Sequence, residues 1–334
     1  MINSPIFFER NRVGRVYSGG KLFSGFFGDE PVDGFLPEEW IASSVKAINK
    51  VQLHEKEGIS KIKDSDMYFD ELLSRYPVEA CGTSGKMRIL VKVLDSAVRL
   101  PAQAHPDKAF SREHFNSDYG KTESWIVLDT REDAKIYFGF RDGVDREIFS
   151  KAIDDSKTDK DAMERLMLYR VPRKDDCFLV PAKTVHAIGA GCLILEIQEP
   201  TDFTVQPEHW CADYELNDKE MYLSLTKEQA IDCFDFTPAP DTKMKPEKIS
   251  ETKENIIGEK DTDCFVVNRI KLSGGSEVMN INDSYGVYIV TSGEGTVAGD
   301  GYSKAIAKGD YFFMPACCMG KFTLTGNMEV VECY

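Results

Sequence analysis

Apolar positions along the chain fall into short runs rich in β-branched and aromatic residues, each bounded by Gly, Pro or Asp. Arg88–Asp95, Ser124–Asp129, Lys135–Phe140, Cys177–Val180, Cys192–Ile197, Phe265–Leu272, Val287–Thr291 and Tyr311–Met314 read as strands on this pattern. Many short strands with such punctuation predict sandwiches or barrels. Helical signals are confined to Ser65–Tyr76, Arg146–Ile153, Lys160–Tyr169 and Lys227–Phe234. The middle two form an expected helical pair, with Ala162, Leu166 and Tyr169 apolar at helical spacing, inserted between strands around residues 143–170. From Thr237 to Asp263 the composition shifts to Pro and charge, with Pro238, Pro240 and Pro246 among lysines and glutamates. This stretch, 237–263, reads as a connector with one edge strand, dividing a larger part, 1–236, from a smaller one, 264–334.

Candidate chemistry gathers in two arms. In Gln103-Ala104-His105-Pro106-Asp107 the side chains of Gln103 and His105, two apart on an extended strand, project to one face. Gly120-Lys121-Thr122-Glu123 follows it. The second arm runs from Asp176 to His186, an apolar strand ending in a turn and a histidine. One amide, one carboxylate and two imidazoles could close on a metal. Such a donor set is of intermediate hardness; it suits Zn²⁺ and tolerates Fe²⁺, Mn²⁺ or Co²⁺. With a single anionic ligand the metal keeps its Lewis acidity, which serves isomerisation, hydrolysis or oxygen chemistry alike.

The second arm has a faint echo. Asp176, Pro181 and His186 are spaced by fives, and so are Asp310, Pro315 and Gly320, with apolar residues between each Asp and its Pro. The repeat resembles the second motif of cupin barrels. On that resemblance only the first copy keeps a histidine at the ligand position, so metal chemistry is expected in the N-terminal half alone.

Composition narrows the setting. The chain has 334 residues, 42% of them hydrophobic, and a net charge of −15 from 41 basic and 56 acidic residues. There is no long basic run, which argues against nucleic acid as a partner. Nine cysteines without a CxxC motif, the only close pair being Cys317-Cys318, read as reduced thiols of a cytoplasmic protein. No stretch approaches membrane-spanning length, and the N-terminal residues lack a basic region followed by an apolar run.

A strand histidine taken alone is more often structural than a ligand. His54, His114 and His209 lack a second ligand at strand spacing and are read as ordinary. Lys121 beside Glu123 could be a surface pair. Glu196, set among Leu193, Ile194, Leu195 and Ile197, is costly to bury without a partner and so is a candidate functional group.

Glu39-Trp40-Ile41-Ala42-Ser43, Leu90–Asp95, Gln103–Asp107, Gly120-Lys121-Thr122-Glu123-Ser124-Trp125 and Val180–Gly189 together resemble, in order and spacing, the type I mannose-6-phosphate isomerases. The resemblance spans most of the chain. It implies a mainly β fold of two cupin-type jelly-roll barrels with a small helical insertion in the N-terminal half: a catalytic barrel over 1–236, then the connector, then a barrel over 264–334 without metal ligands. It implies one Zn²⁺ held by Gln103, His105, Glu123 and His186, and pocket residues Lys92, Lys121 and Glu196. Lys92 is expected to meet the phosphate or a sugar hydroxyl, with Ser43 assisting, and Lys121 and Glu196 to handle polarity and protons. Two positions depart from the family. Gln206 stands where the family has an active-site arginine, ten residues after Glu196, and Pro101 where it has a serine associated with the phosphate. Gln206 has neither the charge nor the fork of donors that arginine offers. The implied activity is interconversion of mannose 6-phosphate and fructose 6-phosphate. The alternatives are a same-fold isomerase of another sugar, one without phosphate included, or a non-catalytic zinc-binding carbohydrate sensor. The expected partner is a small sugar or sugar phosphate; oligomeric state is not legible.

Overall fold

The computed structural model describes residues 2–239, 242–299 and 301–334; Met1 and Pro240, which enter the expectations above, lie outside them. Each of the eight expected strands is present, as Leu90–Ser96, Glu123–Thr130, Ile136–Phe140, Cys177–Val180, Cys192–Gln198, Val267–Val278, Gly286–Gly299 and Tyr311–Met314. The protein is mainly β, with all strand pairs antiparallel.

The sheet that positions the site has six strands, in the order Arg12–Val13, Glu38–Ile41, Leu90–Ser96, Cys192–Gln198, Glu123–Thr130 and Cys177–Val180. Its central strands are buried along their whole length, and the period of two sorts their side chains onto two different cores. Leu94, Trp125, Val127 and Ile194 face a core shared with Ile136, Phe138 and Ile188 of a three-stranded sheet. Val91, Val93, Ile126, Leu193 and Leu195 face the opposite way, onto Val287, Ile289, Phe313 and Val331 of the C-terminal sheet. Glu196 sits on a central strand, opposite Lys92 on one neighbour and Trp125 on the other.

The C-terminal sheet has eight strands. Its second face encloses a separate apolar core that includes Tyr288, Val290, Phe312 and Phe322. The expected division of the chain is blurred at both ends. Ile6–Phe7 pairs with Tyr311–Met314 and so joins the C-terminal sheet. The connector supplies two strands rather than one, Glu247–Lys248 and Lys253–Ile257, at the edge of that sheet. Among the described residues no sheet closes on itself through hydrogen bonds, and the fold is one of cupin-type antiparallel sheets.

The faint sequence repeat has a structural counterpart. Asp176 accepts from the Arg173 amide at 3.1 Å, and Asp310 accepts from the Ala307 amide at 2.8 Å. Each Asp carbonyl then receives a strand amide, from Val127 and Val290 respectively, at 2.9 Å in both cases. The prolines open matching turns, with Thr184 donating to Pro181 at 3.2 Å and Cys318 to Pro315 at 2.9 Å.

The described helices are short, and only some of them were expected. Ser65–Tyr76 becomes Phe69–Arg75 followed by Pro77–Cys81, Arg146–Ile153 becomes Arg146–Asp155, and Lys227–Phe234 becomes Lys227–Ile231. Lys160–Tyr169 is not a helix: it holds a single 3₁₀ turn, Glu164–Leu166, and then the strand Met167–Arg170, which pairs with Ile136–Phe140. Pairing with a waiting sheet edge outweighs a helical spacing of only three apolar residues. Phe23–Phe27, Lys108–Phe115 and Asp218–Tyr222 are helices without a sequence expectation. No described helix is long and apolar enough to cross a membrane. None of the nine cysteines forms a disulfide.

Candidate metal centre and active-site cavity

The period of two on the six-stranded sheet turns Lys92, Glu123 and Glu196 to the same face, toward a cavity of about 430 Å³. Gln103 and His105 reach it from the segment bridged to His186 and Val205. Asp107 of that segment caps the helix Lys108–Phe115, accepting from the Phe110 amide at 2.8 Å, and so fixes where the helix begins. Gly120 is needed for the second arm: a Cβ there would lie 2.6 Å from the Pro106 carbonyl oxygen. That close approach lets the Lys121 amide donate to Pro106 at 2.9 Å, which locks the loop bearing Lys121 and Glu123 against the one bearing His105.

His105, Glu123 and His186 are almost fully buried, and one ligand atom from each falls within 4.8 Å of the others. His105 Nδ1 is 2.9 Å from the Phe203 carbonyl, and His186 Nδ1 is 2.9 Å from the Thr184 carbonyl. A carbonyl can only accept, so both rings donate from Nδ1 and turn the Nε2 lone pair inward. Glu123 Oε1 meets these lone pairs, against His105 Nε2 and 3.3 Å from His186 Nε2. Glu123 Oε1 and His186 Nε2 have no hydrogen-bond donor. Buried electron pairs converging without a proton repel, and a cation among them removes the conflict. The protonation states agree: burial, and then the Lys121 ammonium, pull His105 down to about 3, leaving a neutral imidazole. Burial opposes the charge on Glu123, but the Lys121 ammonium helps hold it well below the usual carboxylate range. Neutral imidazole and ionised carboxylate are the ligand forms. Trp125 Nε1 donates to Glu123 Oε2 at 3.2 Å and fixes the carboxylate's orientation.

Lys121 stands over the cluster, its Nζ 3.0 Å from His105 Nε2 and 3.3 Å from Thr204 Oγ1. Lys92 pairs with Glu196 at 3.3 Å, lies 3.9 Å from Asp202 and sits over the Trp40 ring. The Lys92 contact leaves Glu196 Oε1 without a hydrogen-bond donor. Burial and the Glu123 charge push Glu196 up to about 8, against the pull of Lys92 and Lys121. A carboxyl that exchanges its proton near neutrality is suited to general acid–base work.

Gln103, His105, Glu123, Lys92, Lys121, Glu196, Gln206 and Pro101 all line the cavity. His186 joins through the ligand cluster. Ser43 does not line it; its hydroxyl serves a turn, accepting from Val45 N at 3.1 Å, and its amide donates to Ser60 at 2.9 Å. Gln206 faces the cavity with its amide engaged, donating to the Glu220 carbonyl at 3.2 Å. The sequence reading missed Arg15, Glu38 and Asp202, which form a buried ion-pair chain on the cavity wall: Arg15 to Glu38 at 2.9 Å and to Asp202 at 3.0 Å. Asp202, a carboxylate six residues after Glu196, could have been found by the burial argument applied to Glu196. Arg15 and Glu38 carry no local signal.

An antiparallel cupin-type scaffold, a buried His/Glu/His cluster and a cavity with basic and acidic walls define a metal-site protein of the cupin superfamily. The profile of the mannose-6-phosphate isomerase cupin domain matches residues 258–334. The chain is 30% identical over 247 residues, 73% of each chain, to the mannose-6-phosphate isomerase ManA of Bacillus subtilis. It is 29% identical over 334 residues, 97% of each chain, to the probable mannose-6-phosphate isomerase GmuF of the same organism. Among solved structures it superposes on the mannose 6-phosphate isomerase of Bacillus subtilis with a TM-score of 0.79, at 22% identity, covering 99% of this chain and 100% of that one. The apo form of the Salmonella typhimurium enzyme gives 0.76 at 14% identity, covering 100% and 99%. The chain belongs to the mannose-6-phosphate isomerase family, type I, and is an enzyme of that family.

Proposed function

We propose that the protein interconverts mannose 6-phosphate and fructose 6-phosphate as a Zn²⁺-dependent aldose–ketose isomerase. The observation that carries this reading is the convergence of His186 Nε2 and Glu123 Oε1, neither with a hydrogen-bond donor, with His105 Nε2 beside a sugar-sized cavity. His105, His186 and Glu123 would hold the ion, with Gln103 as fourth ligand. Bound there, Zn²⁺ would supply Lewis acidity toward the oxygens on C1 and C2 of the open-chain sugar. The reaction moves a proton between C1 and C2 by way of a cis-enediol. Glu196, poised near neutrality, is read as the group that exchanges that proton, and Lys121 as the donor that steadies the oxygen beside it. Lys92 keeps Glu196 in place and helps it ionise.

The chain is further read as two related cupin units, the first catalytic, joined through 237–263; the repeated Asp and Pro turns support this. A cytoplasmic setting goes with nine cysteines that form no disulfide. The neutral Gln206 and Pro101 on the cavity wall favour, as a second reading, an isomerase of an unphosphorylated sugar. A coupled assay on zinc-loaded protein, run with mannose 6-phosphate and with free aldoses, tests both. Turnover of mannose 6-phosphate that vanishes in Glu123→Ala is expected. No turnover of any aldose, with no solvent deuterium entering bound sugar, would leave only the sensor reading.

A further inference from the structure

We propose that Lys50 and Lys219, at the rim of the cavity, form the site for the phosphate of the substrate. The proposal rests on the sugar-phosphate reading above and deepens it.

The charges on the cavity wall are almost fully spoken for. Glu38 is paired with Arg15 and accepts from Tyr17 at 2.7 Å and Trp40 at 2.6 Å. Asp202 is held by Arg15 and by the Ile48 amide at 2.8 Å. Glu196 has Lys92, and Glu123 faces the two imidazoles. Glu220 accepts from Tyr214 at 2.7 Å and from the Asn217 amide at 3.0 Å. Among the cations, Arg15 and Lys92 are buried against carboxylates, and Lys121 stands at the metal end on His105. Lys50 and Lys219 remain. Both are exposed at the rim, and among the described residues neither pairs with a carboxylate.

These two lysines come from segments far apart in sequence, yet one small network ties the segments together, through the ammonium of Lys50 and the backbone amide of Lys219. Lys50 Nζ donates to the Tyr214 hydroxyl at 3.4 Å and lies over that ring. Tyr214 in turn donates to Glu220, whose carboxylate also holds Asn217, and Asn217 Oδ1 accepts the amide of Lys219 at 3.0 Å. Gln206 fastens the same short helix from within the cavity through the Glu220 carbonyl. The rim therefore carries two ammonium groups against one carboxylate already engaged twice. A phosphomonoester carries about −1.5 to −2 near neutral pH, so it suits this surplus. Gln206 and Pro101, which line the same cavity, are neutral and offer no charge to compete. The buried metal ligands and the exposed lysines thus line one cavity, as a sugar with reacting oxygens at C1 and C2 and an anion at C6 requires.

The test is steady-state kinetics of wild type, Lys50→Ala, Lys219→Ala and the double variant on mannose 6-phosphate and on mannose, with inorganic phosphate as competing anion. Both side chains are exposed, so the variants are expected to fold, which thermal unfolding checks. The double variant should raise KM for mannose 6-phosphate by about ten- to a hundredfold with kcat little changed, two exposed charge-assisted contacts being lost. The preference for mannose 6-phosphate over mannose should fall by the same factor, and Lys219→Arg should restore most of it. The wild-type KM should rise with added salt, and that of the double variant should be nearly flat. If wild type turns over mannose 6-phosphate and the double variant keeps its KM, the phosphate site falls and the reaction stands. If wild type turns over no mannose 6-phosphate, the reaction falls. Titration of inorganic phosphate then decides the site alone, and equal binding by wild type and double variant overturns it.

Discussion

Gln103 and Met279 hold the same place in the two halves of the chain: the His186 amide donates to the Gln103 carbonyl at 2.9 Å, and the Gly320 amide to the Met279 carbonyl at 2.8 Å. His186 and Gly320 each lie five residues beyond their proline. Two residues beyond Met279, Ile281 matches His105. Gly286 pairs with Met314 as Glu123 pairs with Val180, each partner preceding its proline. The amide, two imidazoles and carboxylate of the first half thus become a thioether, an alkyl group and two hydrogens. Zinc-loaded protein should hold one metal per chain by elemental analysis, and His105→Ala/His186→Ala should hold none. Retention of a full equivalent by that variant would place the metal elsewhere.

Glu196 predicts how the rate depends on pH. Its folded value is raised, so it is protonated below that value and ionised above it; if it removes the proton, kcat should rise with pH toward a plateau. Part of the rise comes from the charge on Glu123, which a bound cation would cancel, so about 8 is an upper bound for the loaded enzyme. Glu196→Gln should lower kcat by about 10²–10⁴-fold and flatten the profile. Lys92→Met removes a cation that lowers Glu196, and should move the limb to higher pH. A limb that stays put in both variants would assign the proton transfer to another group.

Glu38 predicts behaviour in acid. Burial alone would raise it, but Arg15 and Lys92 bring it down to about 2 from an ordinary 4.5. A depressed carboxyl stabilises the fold above its unfolded value, and the contribution fades as pH falls from about 4.5 through about 2. The difference corresponds to about 3 kcal/mol. Glu38→Gln should lose stability of that order at pH 7, and the gap from wild type should shrink as the pH approaches 2, measured by urea unfolding across that range. A constant gap would mean that Glu38 acts through packing alone.

What the sequence disclosed was whatever is encoded locally. The strand spacing of Gln103 and His105 survives in the structure as two side chains reaching one cavity, and the fives of Asp176, Pro181 and His186 survive as a turn. The buried run around Glu196 flagged a carboxylate that proves to be on a central strand. What stayed hidden depends on distant parts of the chain. Arg15 meets Asp202 across 187 positions, and Lys50 meets Tyr214 across 164, with no periodicity to announce either. Ser43 shows the reverse: it lies in a segment resembling the family, yet its hydroxyl is spent on its own turn. Lys108–Phe115 was hidden because its polar residues outnumber its apolar ones, and only the Asp107 cap marks its start.

Gly120 links fold to catalysis most directly. An alanine Cβ would stand 2.6 Å from the Pro106 carbonyl oxygen and 2.9 Å from the Asp107 carbonyl carbon, both backbone, so no side-chain rotation relieves the clash. The loops bearing His105 and Lys121 would have to part, and the Lys121 amide would lose its bond to Pro106. Overpacking of this kind costs about 1–3 kcal/mol. Displacement of a reacting group by about 1 Å costs on the order of 10²-fold in rate. Gly120→Ala should therefore unfold at lower temperature and lose about 10²-fold in kcat/KM at temperatures where it is still fully folded. Gly25→Ala, whose Cβ would meet nothing within 4 Å and which lies within the helix Phe23–Phe27, is the control and should lower neither. Full activity in folded Gly120→Ala would show that the two loops need not touch for His105 and Lys121 to work together.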